Sequence, residues 1–311
     1  MRCRKCGEKA AINMRQHKLA LCGTHFLEWI PEQTQRFIEK YKMFEEDSRI
    51  LLAVSGGKDS LALWDVLHRL GYQTTGLYID LGISDYSIQS QRMAEKFATE
   101  NDLKLTLVDV AESEGATIPE ASKLTERGKG KPCSVCGLTK RHIMNRVARE
   151  GGYDVLVTGH NLDDEAAVLF GNTINWAVGY LARQGPVLEE KADGLVRKAK
   201  PFCRFYERET AAYALLRGIN YIYDECPYAE GATSIYYKEL LNQMEEVRPG
   251  MKLSFYLSFL RAKKFGLFVQ ESTIAQSKLV NCSTCGQPTT APDQCAYCRT
   301  WDKVRSRQAA A

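Results

Sequence analysis

Hydrophobic and polar positions in the middle of the chain switch repeatedly between two periods. A short apolar run at 49–54 reads as a buried strand and stops at Ser55-Gly56-Gly57. Residues 61–70 then carry apolar side chains at helical spacing until Gly71. The alternation continues with a strand pattern at 74–81, a helix at 88–101 and a strand at 103–110. A helix at 138–150 is halted by Gly151-Gly152, and a strand at 154–158 leads into a helix from 162 to about 171. Such alternation predicts βαβ units, hence an α/β fold with a doubly wound parallel sheet and helices on both faces. In such sheets ligands bind beyond the carboxyl ends of the strands. Residues 172–201, with Gly179, Gly185, Pro186 and Gly194, read as a long loop or hairpin. Helical patterns return at 207–217, 234–246 and 252–264.

Composition adds a second layer. The chain has 311 residues, enough to bury a core without covalent staples, and 11 cysteines, an odd number that cannot all pair internally. Most fall in C-x2-C or C-x2-H pairs, the pattern of metal sites in reducing compartments. No apolar run reaches membrane-span length, and Met1-Arg2-Cys3-Arg4-Lys5-Cys6 offers no apolar signal core, so a cytoplasmic protein without membrane contact is expected. The net charge of +4 is modest, but the cations cluster. Lys123, Arg127, Lys129, Lys131, Lys140, Arg141, Arg146 and Arg149 form one group, Arg197, Lys198, Lys200, Arg204 and Arg208 a second, and Arg299, Lys303, Arg305 and Arg307 a third. Any one group reads as a solvated face. Three in a metal-rich chain point to an acidic polymer as partner.

The sharpest motif is Ser55-Gly56-Gly57-Lys58-Asp59-Ser60, between a strand and a helix. Glycines let backbone approach a phosphate closely, and the helix N-terminus supplies unpaired N–H groups. Ser55 and Ser60 add hydroxyls, Lys58 adds charge, and Asp59 is suited to Mg²⁺. Neither the Walker A nor the dinucleotide-binding pattern fits. The string resembles the PP-loop of the ATP pyrophosphatases, written SGGxDS, which cleave ATP between its α and β phosphates and transfer AMP to a substrate oxygen.

Three cysteine groups follow. Cys3, Cys6, Cys22 and His25 have structural-zinc spacing, as do Cys282, Cys285, Cys295 and Cys298. Both sets are complete, so a structural role is expected, with RNA contact second. His17 lies between the first two pairs and receives no role. Cys133 and Cys136, in the most basic stretch, have no second pair nearby, and Cys203 and Cys226 stand alone. Three thiolates can hold three irons of a [4Fe–4S] cluster and leave one open. A disulfide or persulfide relay through Cys133 and Cys136 is the other chemistry, and simple burial is the plain reading of Cys203 and Cys226. Spacing alone does not choose.

With SGGKDS, this arrangement resembles the TtuA-type tRNA 2-thiolation enzymes, related to TtcA and to the eukaryotic cytosolic tRNA thiolases. The resemblance spans the terminal cysteine modules, PCSVCGLTKR, TGHNLDDEA at 158–166 and ECPYA at 225–229. It implies adenylation of the C2 oxygen of a tRNA uridine, most directly the T-loop 5-methyluridine at position 54, and then attack by sulfur. It implies a cluster on Cys133, Cys136 and Cys226 and catalytic positions at Asp59, Lys140 and Asp164. Ala53, Ser55, Gly56, Gly57, Lys58, Asp59, Ser60, Ile79, Lys140 and Gly159 match the nucleotide pocket. The implied cofactors are ATP, Mg²⁺, the [4Fe–4S] cluster and two Zn²⁺. The implied partners are tRNA and a ubiquitin-like sulfur carrier with a C-terminal thiocarboxylate; a homodimer is left open. The expected division is an N-terminal zinc module at 1–30, a PP-loop catalytic domain with a helical C-terminal part at 31–270, and a C-terminal zinc ribbon with basic tail at 271–311. Thiolation of an anticodon-loop base, persulfide chemistry and a non-catalytic zinc-dependent RNA-binding protein are the alternatives. Cys203 matches no functional position.

Overall fold

A computed structural model describes residues 1–128, 132–190, 194–267 and 279–310. Lys129 and Lys131 of the first basic group, and the expected boundary at 270/271, lie outside the described residues. The chain opens with an antiparallel pair, β1 (Ile12–Met14) and β2 (Leu19–Leu21), followed by α1 (Gly23–Tyr41). The βαβ body then runs β3 (Ile50–Val54), α2 (Lys58–Arg69), β4 (Thr74–Asp80), α3 (Ser84–Glu100) and β5 (Lys104–Asp109). Two short helices, α4 (Val110–Glu114) and α5 (Ile118–Lys123), lead to α6 (Pro132–Glu150) and β6 (Val155–Thr158). After α7 (Leu162–Ile174) come α8 (Val178–Arg183), β7 (Val187–Leu188), β8 (Arg197–Ala199), α9 (Glu207–Leu216), α10 (Thr233–Val247) and α11 (Met251–Lys264). A last pair, β9 (Val280–Asn281) and β10 (Pro288–Thr289), precedes the final helix, Ala296–Ala309.

The central sheet has the order β5-β4-β3-β6-β8-β7. All neighbours are parallel except β7, which runs antiparallel on the β8 edge. Alternate residues of β3 serve opposite faces, as a pleated strand requires. Ile50, Leu52 and Val54 pack with Leu61, Leu63 and Trp64 of α2 and Phe97 of α3. Leu51 joins Leu77, Leu156 and Ala148 of α6 on the other side. This is the doubly wound arrangement. Gly76 in β4 is dictated by packing: a Cβ there would lie 2.4 Å from the Trp64 ring.

The structure departs from the periodicity in several places. α1 was not foreseen; its apolar stripe, Phe26, Ile30, Phe37 and Ile38, is broken by Pro31. The hairpin within 172–201 is present, but α8 precedes it. α6 begins at Pro132, six residues before the expected 138, because proline suits a first helical turn and Gly137 is carried inside the helix. No helix among the described residues is long and apolar enough to cross a membrane.

Candidate active site and metal centres

The chain leaves β3 toward β4 on one side and leaves β6 toward β8 on the other, so the crevice above these neighbours is the topological switch point of the sheet. The Ser55–Ser60 turn sits there. Gly56 has φ +72°, and a Cβ on it would lie 2.1 Å from the Ser90 carbonyl oxygen, so no other residue fits. The turn braces itself: the Ser55 N–H donates to Ser60 Oγ at 3.1 Å, and Ser60 Oγ donates to the Gly57 carbonyl at 3.0 Å. Gly159, just past β6, is pressed against the start of α2, where a Cβ would come within 2.9 Å of the Ser60 nitrogen. Ala53 and Ile79 lie near the carboxyl ends of β3 and β4. The expected nucleotide-pocket residues of the turn and strand ends therefore share one edge of the sheet.

Charge gathers beside the turn. Asp59 accepts from Asn161 Nδ2 at 3.2 Å and from the Thr210 hydroxyl. Asn161 caps α7, accepting from the Asp163 and Asp164 N–H groups, while Asp164 accepts from the Asn161 N–H at 3.0 Å. Lys58 Nζ lies 2.7 Å from Glu207 Oε1 and 3.2 Å from Asp59 Oδ2. Lys238 Nζ lies 2.6 Å from Asp164 Oδ1 and 3.2 Å from Glu207 Oε2. Burial pushes the Asp59 carboxyl up, with Lys58 opposing it. Burial also acts against ionised Asp164, but Lys238 and His160 outweigh it and hold the carboxyl below the usual range. The sequence did not mark Glu207, Lys238, Asn161 or Thr210 as site residues. Glu207 reads as an acid favoured at a helix start, and Lys238 as a solvated helix lysine.

Because α6 starts early, Cys133, Cys136 and Lys140 fall at i, i+3 and i+7 on one helix face. The segment after α9 passes between the two groups. The Ile222 N–H donates to the Gly56 carbonyl at 3.0 Å, and six residues on, the Tyr228 carbonyl accepts from Cys133 Sγ at 3.4 Å. Even fully extended, that span covers at most about 20 Å. Burial raises the Cys136 thiol; Lys140 opposes the shift, and the thiols of Cys226 and Cys133 add to it, so these four side chains share one neighbourhood. Cys203 is elsewhere, buried in the main core with its thiol pushed up by burial.

The ligand atoms of Cys3, Cys6, Cys22 and His25, and those of Cys282, Cys285, Cys295 and Cys298, lie within 4.8 Å of one another in each set. Cys6 and Cys22 Sγ are 3.7 Å apart, and Cys285 and Cys295 Sγ 3.8 Å. Tetrahedral ligands around zinc stand about 3.8 Å apart, so the donors fit. Both sets are built alike, which their sequences hide. A C-x2-C-G knuckle turns at Gly7 or Gly286 in positive φ. The third ligand, Cys22 or Cys295, then sits at a helix N-cap, with the fourth three residues on. The thiols of Cys133, Cys136 and Cys226 do not approach one another as closely as the ligands of those two sets. Three thiols sharing one neighbourhood, without a fourth, suit a cluster with one open iron. His17 is no ligand; it contacts Glu209 and Trp29.

The basic groups are only partly available to a partner. Arg197 bonds the Lys42 carbonyl, Lys200 pairs with Glu165 at 2.6 Å, and Arg208 bonds the Asn13 carbonyl. Arg305 pairs with Glu114 and Asp302, and Arg307 with the Leu124 carbonyl. Burial and the neighbouring Arg141 and Lys200 lower the Lys198 ammonium, so these three cations stand near one another.

Residues 2–27 match the family described as 2-thiouridine synthetase TtuA, N-terminal LIM domain, and 29–230 match the PP-loop domain. The tRNA-5-methyluridine(54) 2-sulfurtransferase of Thermus thermophilus is 51% identical over 307 residues, covering 99% of this chain and 93% of that protein. This chain belongs to the TtuA family of PP-loop tRNA 2-sulfurtransferases. The protein of that name from Pyrococcus horikoshii is 43% identical, covering 97% of this chain and 94% of its own length. Among solved structures, the U34-tRNA thiolase NcsA from Methanococcus maripaludis with its [4Fe-4S] cluster aligns with a TM-score of 0.75 and 27% identity. The alignment covers 85% of this chain and 88% of that one. Family membership accounts for the PP-loop at the switch point and for the TtuA-type cysteine module at the N-terminus.

Proposed function

We propose that this chain is an ATP-dependent tRNA 2-sulfurtransferase acting on 5-methyluridine 54 in the cytoplasm. The observation that carries the reading is the 222–228 segment, which bonds the PP-loop at one end and Cys133 at the other. A phosphate turn and a three-thiol site held by one short strap suit a reaction that spends ATP to install sulfur.

The chemistry follows from the groups in place. A pyrimidine C2 oxygen is a poor leaving group. Attack of that oxygen on the α phosphorus releases pyrophosphate and leaves an O-adenylate. Sulfur then adds at C2, and AMP departs with the oxygen. The 55–60 turn binds phosphates through its N–H groups, Lys58 and its serines. Lys140, on the face shared with Cys133 and Cys136, would neutralise charge developing at the adenylate. Asp59 is the candidate Mg²⁺ ligand, and Asp164 orients Lys238 at the edge of the site. Cys133, Cys136 and Cys226 would hold a [4Fe–4S] cluster, whose open iron supplies a Lewis acid for sulfur. The terminal sets would hold two structural Zn²⁺, in modules at 1–30 and 271–311 around the 31–270 catalytic body. Folded tRNA would be read by shape across the ground near Arg141 and Lys198, and a thiocarboxylated ubiquitin-like protein would deliver sulfur.

Pyrophosphate release by cluster-loaded protein under anaerobic conditions tests the proposal. Release that needs both ATP and tRNA is expected. ATP turnover indifferent to tRNA, or none at all, would overturn it. U34 thiolation, the activity of NcsA, is the second reading; a nucleotide 54 variant of the tRNA that still accepts sulfur would favour it.

A further inference from the structure

Four helices deliver charge to one point beside the 55–60 turn. α2, α7 and α9 arrive by their N-termini. Asp59 of α2 contacts Asn161 at the cap of α7 and Thr210 of α9, and Asp163 of α7 accepts from the Glu207 N–H at 2.8 Å. α10 contributes Lys238. Asp163 is already neutralised by the buried Lys252. Glu207 is different: each of its carboxylate oxygens holds a separate lysine, Lys58 at 2.7 Å and Lys238 at 3.2 Å. Its side chain is 37% exposed and those of the lysines 25%, so the trio lines open ground and is not sealed in the core. Burial opposes its ionisation, but Lys238 and Lys58 outweigh that and keep Glu207 charged.

Lys58 also meets Asp59 at 3.2 Å and Lys238 meets Asp164 at 2.6 Å, so Glu207 is the carboxylate that the two lysines share; where three helix N-termini converge, it occupies the position a more highly charged anion would take. We propose that Lys238 is a second phosphate-binding lysine acting with Lys58. Glu207 is the internal anion that holds both lysines until the β and γ phosphates of ATP displace it. As the C2 oxygen bonds to the α phosphorus, the bond from that phosphorus to its bridging oxygen breaks and the electron pair leaves with pyrophosphate. Lys58 and Lys238 neutralise the charge that pyrophosphate carries away. The inference rests on the 55–60 turn being the ATP site.

Titration calorimetry on the cluster-loaded protein tests it, with α,β-methylene-ATP, AMP and pyrophosphate as probes. Lys238→Met should weaken the ATP analogue and pyrophosphate about tenfold or more, the scale of one charge-assisted contact, and leave AMP nearly unchanged. Lys238→Arg should restore most of the loss. Glu207→Gln should tighten the analogue by removing the competing anion. Equal losses for AMP and the analogue in Lys238→Met, or unchanged analogue binding in both Lys238 variants, would overturn the inference and leave a structural brace. Lys58→Ala separates the two claims: if it too binds the analogue normally, the ATP-site reading itself fails.

Discussion

At the scale of single residues, the site is set by positions where alternatives are sterically or electrically excluded. Gly56 combines positive φ with a carbonyl oxygen 2.1 Å from where a Cβ would stand. Gly56→Ala should therefore abolish tRNA-dependent pyrophosphate release while the protein still folds, checked by circular dichroism; wild-type turnover would refute the placement. The motif that contains Gly56 was legible because phosphate binding needs small residues in fixed order. Glu207 and Lys238 were not legible, since acids at helix starts and lysines on helix surfaces are ordinary. Only the fold, which brings α9 and α10 to α2, gives them meaning. Cys203 reads the same at both levels: no partner in the sequence, and a buried core position in the structure.

At the scale of elements, the early start of α6 matters most. From 138 the helix would leave both cysteines in a loop; from Pro132 it aligns Cys133, Cys136 and Lys140. The same helix carries the C-terminal module through a directed chain of hydrogen bonds. The Val196 N–H donates to Asn145 Oδ1, Asn145 Nδ2 to Gln287 Oε1, and Gln287 Nε2 to His142 Nε2, at 3.1, 3.0 and 3.0 Å. Because the chain starts at a backbone N–H, its direction is fixed, and His142 must accept on a neutral ring. Burial, then Arg146 and Arg149, lower its pKa to about 4, while Tyr297 of the module stacks on it at 3.6 Å. A lowered histidine contributes stability above its unfolded pKa of about 6.5 and loses it as pH falls toward the folded value. Docking of the 279–310 module should weaken between pH 6.5 and 4. Thermal melts of the wild type and His142→Phe should differ in slope across that window; parallel curves would contradict the assignment. None of this was readable from the chain, since His142, Gln287 and Val196 are far apart in sequence and chemically unremarkable.

At the scale of the whole molecule, the cysteines divide into two zinc-type sets, three thiols joined to the phosphate turn by the 222–228 segment, and one core residue. The doubly wound sheet, the strands β3 to β6 and both terminal cysteine sets followed from periodicity and spacing. The edge pair β7 and β8 was legible only as a long loop or hairpin within 172–201, because short strands paired at a sheet edge carry little pattern. The division predicts separable losses. Metal analysis of anaerobic protein should give two zinc and about four iron per chain. Cys285→Ser should remove one zinc and spare the iron, and Cys226→Ser should deplete iron and spare both zincs. Joint loss in either variant would mean the sets are not independent. The proposed reaction installs sulfur at C2 of one tRNA uridine at the expense of ATP. Mass spectrometry of nucleosides from tRNA incubated with cluster-loaded protein, sulfur source and ATP reads its product. 5-Methyl-2-thiouridine is expected, absent when ATP is omitted and absent with Cys226→Ser. A thiolated nucleoside formed without ATP, or none formed with it, would refute the proposed reaction.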